Sequence, residues 1–453
     1  MNPLAPERLT PDDDLFVRME HALGLPVTNQ CVWQIPGDTP EHVITDLADR
    51  LRRGRLSRLV RRRRVPGRDR WIHTPGAGRF RMSRQPIPAG AEAAWARDRV
   101  DEPLDTRHGP SWRLTTAPSS DGESIFVSLI VSHVVADGGA IMAAVSEAVA
   151  GIDYDATDAA GGVIDSLRDS ATLIATAGRM AFAMAADRSS STSPTARAVP
   201  PLLTTPSPTM PGGDAAYAPT TIRTIDAADF RRAAQDAGGT ANTLFVAIMV
   251  GVLEDSGRVA RGTTIGVSLP MSARTDGDRR ANATTGVTAS VEVSADRYRD
   301  LGPLRTACKE AYRSAAAGPG PTARLGIVAQ ALGDRMVARL AAGLGAPLCL
   351  ASNLGDLDDD FASLGSALPG PVAMRSVAAV GDGDRLRRMA GGVSGWVSQS
   401  AGTITLCATS LDPDRITDDA ALTAALDVEL ARWGLTAAGW GGRRPAAEEA
   451  LCE

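Results

Sequence analysis

The sequence predicts an α/β protein built as two αβ halves of similar size. Three observations carry that prediction. The chain has 453 residues, too many for one compact hydrophobic core. Strand-like and helix-like hydrophobic patterns alternate in both its first and its second part. Between them lies DRSSSTSPTARAVPPLLTTPSPTMPGGDAAYAPT, residues 187–220, dense in Ser, Thr, Pro and Gly and without periodicity, which is the chemistry of a linker. The halves are therefore placed at 1–186 and 221–453, as a pseudo-symmetric pair with a crevice between them. Such a crevice is where small-molecule sites tend to form.

The elements follow in order. PDDDLFVRMEHAL, 11–23, sets a proline and three acids ahead of a periodic apolar set, a helix-start signal. VTNQCVWQI, 27–35, reads as a strand. Residues 40–64 carry Val43, Ile44, Leu47, Leu51, Leu56 and Leu59 near helical spacing and read as one helix. RWIHTP and PSWRLTTA read as short strands, and SIFVSLIVSH, 124–133, as a buried one. AIMAAVSEAVAGI, 140–152, returns to helical spacing, and SATLIATAGRMAFAMAA, 170–186, reads as an amphipathic helix lying on protein, with weak peripheral membrane contact as the alternative. After the linker come a strand TIRTID, a helix AADFRRAAQDAGG ended by Gly238-Gly239, and the apolar helix TANTLFVAIMVGVLEDSG. Strands at 263–273 and 286–294, helices at 301–316 and 323–342, and a strand at 346–357 continue the pattern. SGWVSQSAGTITLCATS suggests a hairpin turning at Ala401-Gly402, and a helix at 418–433 closes the second half.

Composition excludes several functions. The net charge is −5, which argues against a general nucleic-acid binder. Arg61–Arg64 is the one basic run; it reads as a solvated helix end, or as a contact for an acidic cofactor or carrier protein. Lys309 is the only lysine, and nothing around it supports Schiff-base chemistry. The abundance of Ala, Gly and Arg matches a GC-rich bacterial genome. Five cysteines, Cys31, Cys308, Cys349, Cys407 and Cys452, are widely spaced without a CxxC pair, so neither a disulfide framework nor a zinc site is expected, and a cytoplasmic location is. Asp356, Asp358, Asp359 and Asp360 lack the spacing of a calcium loop and read as a solvated turn; no metal site is expected. No signal peptide and no transmembrane helix are expected.

The informative stretch is SLIVSHVVADGGAIMAAV, 128–145. His21, His42, His73 and His108 sit on polar helical patterns or in loops. His133 instead follows a buried strand and precedes a double glycine that opens a helix. A rigid strand end with an exposed turn is a common place for a reactive side chain. Asp137, four residues on, can order the turn, while Gly138 and Gly139 let a substrate approach the backbone and present amides to an oxyanion. On these residues alone a structural histidine and a catalytic base both remain open. GVSG at 392–395 falls short of GxSxG and lacks a strand-to-helix elbow.

SHVVADGG resembles the HHxxxDG motif of the condensation-domain superfamily, which includes peptide-synthetase condensation domains, HxxxD acyltransferases and bacterial wax ester synthase/diacylglycerol acyltransferases. LTPDDDLFVRME, PLDTRHGPSWRL (103–114), GGTANTLFVAIM (238–249), GVSLPMSAR (266–274) and ASNLGDL (351–357) resemble further segments of the wax-synthase-type enzymes, in the same order. The resemblance implies two chloramphenicol-acetyltransferase-like halves in a V with a central tunnel. It implies that His133 is the catalytic histidine, and that Asp137 is mainly structural, held by an arginine for which Arg274 is the candidate. Catalytic positions are then His133, Asp137 and Gly138; Ser132, Gly139, Arg274, Trp112, Asn242 and Asn353 would orient the loop or line the tunnel. Three positions depart from the pattern: Ser132 stands for the first histidine, Ser111 for the leucine before the tryptophan, and Asn242-Thr243 for Asn-Asp. These departures point away from storage-lipid synthesis.

The function expected is acyl transfer from a thioester to a small alcohol or amine acceptor in specialised metabolism or lipid modification. Acyl-CoA or an acyl carrier protein would be the co-substrate, with no tightly bound cofactor and no acyl-enzyme. A stand-alone peptide-type condensation enzyme is the alternative within that class, and a non-catalytic binding module the alternative outside it. A monomer or homodimer is expected.

Overall fold

A computed structural model describes residues 7–63, 67–155, 163–190, 218–275, 277–316, 321–341, 345–379 and 383–442. Most of the proposed linker lies outside the described residues; residues 187–190 end the helix Val163–Ser190, and Thr220 begins a strand.

Two sheets organise the chain. The first runs Val372–Ala378, Val27–Pro36, Ser124–Ser132, Trp112–Pro118, Gly78–Met82. Its neighbours are antiparallel except for the last pair. The second runs Ala437–Gly439, Thr220–Asp226, Thr403–Ser410, Val393–Ser400, Cys349–Asp356, Thr264–Ser272, Thr284–Glu292, with parallel pairing on both sides of Cys349–Asp356. The first sheet thus takes an edge strand from the second part of the sequence, in register Gln30 opposite Arg375. Its core packs Trp33, Leu129 and Val131 against the helices Glu41–Arg53 and Gly138–Val149. The second sheet packs on the helix Ala241–Asp255, buried without interruption from Thr243 to Leu253. A third apolar cluster, including Phe126, Ile222, Trp396 and Trp440, contains residues of both sheets and joins them.

Local chemistry explains most boundaries. Thr10 and Asp13 close a capping box on the helix Pro11–His21, and Pro11 takes its first turn. Asp137 caps Gly138–Val149 through the Ala140 amide, and Asp226 and Asp418 cap their helices in the same way. The hairpin turns at Ala401-Gly402, both with positive φ (46° and 68°), a turn that favours glycine.

Two readings of the sequence are corrected. The helix expected over 40–64 stops at Arg53 before Gly54, and Arg58–Arg61 forms a strand with Arg70–His73. Leu56 is buried here by chain reversal, so its helical spacing was coincidental. The helix expected over 323–342 is two, Pro321–Gln330 and Asp334–Ala341. The strands Gly78–Met82 and Val372–Ala378 and the helix Glu92–Val100 were not foreseen. VAMRSVA carries an arginine that interrupts any apolar alternation, and its pairing partner is more than 300 residues away. The helix Val163–Ser190 lies on protein through Leu173, Ala177 and Asp169, while Leu167 and Ile174 are exposed. Among the described residues no single helix is long and apolar enough to cross a membrane.

Trp112 is fully buried against Gly78, where a Cβ would lie 2.0 Å from its ring. Gly78→Ala should therefore destabilise the protein by about 1–3 kcal/mol through overpacking. Urea denaturation measures this; an unchanged midpoint would contradict the packing.

Candidate active site

His133 is the first residue beyond the strand Ser124–Ser132, and its backbone N–H donates to Val27 O at 2.8 Å, so the neighbouring strand sets its position. Phe16 stacks on the imidazole at 3.6 Å between centroids and 13° between planes. His133 Nδ1 lies 3.1 Å from Asn282 Oδ1. The orientation of Asn282 follows from what its amide nitrogen meets: Asp13 Oδ1 at 3.1 Å and Val134 O at 3.2 Å. A carbonyl accepts only, as does an ionised carboxylate, so Nδ2 must donate to both and Oδ1 must face the ring. Nδ1 therefore carries the hydrogen, and Nε2 keeps its lone pair.

Asp13 closes this chain. Its carboxylate also accepts the Asn282 backbone N–H at 2.8 Å and the Thr10 N–H at 2.9 Å. Burial pushes the Asp13 carboxyl up, and these donors oppose the rise. Burial likewise penalises the His133 imidazolium and holds its pKa below the ordinary 6.5, against the opposing pull of a hydrogen bond to its own backbone, the Asp137 charge and Asn282. The neutral, base form is thus favoured at neutral pH.

Asp137 does not share this chain. Its Oδ1 accepts from Arg274 Nη2 at 2.7 Å and Ala140 N at 2.8 Å; its Oδ2 accepts from Ala283 N at 2.7 Å and Thr284 Oγ1 at 3.0 Å. Burial raises its pKa, but Arg274 and the amides of Ala283 and Ala140 outweigh that, leaving it below the ordinary carboxylate value. Arg274 also donates to Arg280 O at 2.9 Å and Ala281 O at 3.0 Å. Asp137 thereby ties the first half to the 281–284 segment of the second. Gly139 makes room for the pair, since a Cβ there would sit 3.0 Å from Arg274 Nε; Gly138 faces Leu354, 3.2 Å from where its Cβ would be.

The other expected residues are dispersed. Ser132 is buried; its hydroxyl donates to Glu20 Oε2 at 3.3 Å and accepts the Val134 N–H at 3.3 Å, so it braces the turn from behind. Trp112 belongs to the core of the first half. Asn242 and Asn353 meet each other at 3.1 Å, and Asn242 meets Tyr312 at 3.4 Å, in a separate polar group. Among the described residues none of these three has a hydrogen bond to His133. Thr243 closes a capping box with Thr240. Arg62 and Arg63 of the basic run are held in ion pairs with Asp69, Asp334 and Asp169, and Arg64 lies outside the described residues. Sequence reading passed over Asn282, Asp13 and Phe16. Asp13 looked like one acid of a helix start, and Asn282 sits in a polar loop whose spacing carries no link to His133.

Neither a protein-family profile nor a curated protein sequence matches the chain. Solved structures do. The wax ester synthase/diacylglycerol acyltransferase of Marinobacter aquaeolei VT8 is similar with a TM-score of 0.52 and 13% identity, over 94% of this chain and 98% of that one. The first condensation domain of the calcium-dependent antibiotic synthetase, in complex with a substrate analogue, aligns with a TM-score of 0.57 and 15% identity over 95% and 96% of the two chains. The chain has the condensation-domain fold. Polyketide synthase associated protein 5 from Mycobacterium tuberculosis is similar across 95% of this chain and 99% of that one, with a TM-score of 0.52 and 13% identity. The condensation-domain fold thus spans both sheets and brackets the His133 turn.

Two outcomes are expected. In an NMR titration the His133 ring should show a midpoint below 6.5, since burial disfavours the charged form. The neutral base then persists as pH falls to 6.5, and folding stability is drained only below that value; a midpoint at or above 6.5 would refute the burial argument. Asp137→Ala should cost about 3–5 kcal/mol by stranding the Arg274 charge, and Arg274→Met added to it should restore part of the loss. Equal urea midpoints for wild type and Asp137→Ala would show that the pair holds nothing together.

Proposed function

We propose that the protein transfers an acyl group from a CoA or carrier-protein thioester to an alcohol or amine acceptor. The observation that carries this reading is the Nδ1 contact to Asn282, which leaves Nε2 as an unprotonated, oriented base. His133 Nε2 takes the acceptor proton as the oxygen or nitrogen attacks the thioester carbonyl. The tetrahedral oxyanion forms near the N-terminus of the helix Gly138–Val149, where the Gly138 and Gly139 amides, unlike that of Ala140, are not taken by the Asp137 cap. The C–S bond then breaks, and the imidazolium returns its proton to the thiolate. The acyl group passes directly between substrates, so no acyl-enzyme forms. Asp137 acts on geometry, through Arg274 and the 281–284 segment, and Phe16 holds the ring plane. The similarity to a wax ester synthase/diacylglycerol acyltransferase and to condensation domains supports this class of reaction without selecting the donor.

Free-thiol release from a panel of acyl-CoAs with alcohol and amine acceptors tests the proposal. General-base help is typically worth about 10²–10⁴-fold, and His133→Ala should lose that much in kcat/KM while keeping its fold. Turnover unchanged by the substitution would defeat the mechanism. Turnover with carrier-loaded donors alone would instead select the peptide-type condensation reading.

A further inference from the structure

A cavity of about 820 Å³ opens between the two sheets. No residue of the His133 turn lines it. Ser124 and Phe126 bring to it the start of the strand whose far end carries His133. Ile222 of the second sheet, the start of the helix Glu92–Val100 and Trp440 complete the wall.

Four carboxylates stand in this wall: Glu92, Asp121, Glu123 and Asp419. Asp419 accepts the Thr220 N–H at 2.7 Å and pairs with Arg97 at 3.3 Å. Asp121 accepts the Glu123 N–H at 3.0 Å and the Ser119 hydroxyl. Glu92 differs from both. It is only 6% exposed, and among the described residues neither of its oxygens has a hydrogen-bond or ion-pair partner. Neither oxygen is sealed within protein, so what the carboxylate exposes opens on the cavity it lines. Its stem lies against Gly441 of the same wall, where a Cβ would come within 2.6 Å of Glu92 Cγ. A carboxylate this enclosed without a cation is costly. The acids around it deepen the negative potential that a cation would relieve.

The positive groups of the wall leave this charge unanswered. Arg223 is held by Asp427, through Nε at 2.8 Å and Nη2 at 2.5 Å. Arg375 donates Nε to Gln30 Oε1 at 2.9 Å, and its Nη2 is sealed away from the cavity. The rest of the wall narrows the ligand. Phe126, Ile222 and Trp440 give it an apolar surface, and Phe126 and Trp440 pack edge to face at 6.5 Å. Aromatic faces attract cations as well as apolar groups. We propose that this cavity binds a protonated organic amine with an apolar body, its ammonium held by Glu92 and its body against Phe126, Ile222 and Trp440. The site is separate from the His133 turn and does not depend on the acyl-transfer reading.

Calorimetry near neutral pH with octylamine against 1-octanol, and benzylamine against benzyl alcohol, tests this on the full chain. Each amine should bind at least about tenfold more tightly than its alcohol, the size of one hydrogen bond to a charged group. Octanoate should bind more weakly than 1-octanol. Glu92→Gln keeps the shape and removes the charge, and should bring the amine-to-alcohol ratio to about one. His133→Ala should leave octylamine affinity unchanged. A ratio of one in the wild type would overturn the proposal. So would a ratio untouched by Glu92→Gln, octanoate binding more tightly than octylamine, or loss of octylamine binding in His133→Ala. Ala93 is an exposed position in the same wall, and Ala93→Trp should fill the cavity and abolish octylamine binding. Should Glu92→Gln fail to fold, octylamine affinity unaltered in Ala93→Trp would overturn the proposal equally.

Discussion

The site depends on one buried ion pair, Asp137 with Arg274. Its carboxylate receives donors from both halves of the chain: its own helix through Ala140, and Arg274, Ala283 and Thr284 from the second half. A charge this enclosed is tolerated only when its acceptor sites are filled. Filling them fixes the 281–284 segment against the His133 turn. Asn282 lies within that segment, so the ion pair delivers the residue that sets the histidine tautomer. Asp13 holds the same asparagine from the other side. The imidazole is therefore oriented by Asn282, which Asp13 contacts directly and Asp137 positions through the neighbouring Ala283 and Thr284.

This division of labour gives the two acids different tasks. Asp137 stabilises the junction and lies below the usual carboxylate range because Arg274 and backbone amides overcome its burial. Asp13 works through Asn282 and belongs to the helix that also brings Phe16 onto the ring. The N-terminal helix thus has a structural reason to begin with a capping box: the residue that closes the box also anchors the asparagine. Ser132 links Glu20 of the same helix to the turn. All of these contacts converge on the geometry of one imidazole.

The seam between the sheets carries two chemistries. At the His133 end it is polar and densely paired. In the third apolar cluster it is aromatic, beside a cavity lined by Phe126, Ile222 and Trp440. The crossing strand Val372–Ala378 joins them: it completes the sheet that positions His133, and it carries Arg375 into the cavity wall.

What the sequence by itself determined is local. Hydrophobic alternation marked the strand ending at Ser132, the double glycine marked the helix after it, and the motif spacing placed His133 and Asp137 on opposite sides of that turn. These follow from contacts a few residues apart, which composition and periodicity record. The Asp137–Arg274 pair was legible as well, though through resemblance, since nothing in the residues connects positions 137 apart. Only the tertiary structure decided that Asn282 and Asp13 orient the histidine, that Trp112 serves the core, that Asn242 and Asn353 form a group of their own, and that Arg375 lines a cavity between sheets. Each rests on pairing between segments far apart in the chain, and a polar side chain reads the same in sequence whether it meets water, a carboxylate or a ring nitrogen.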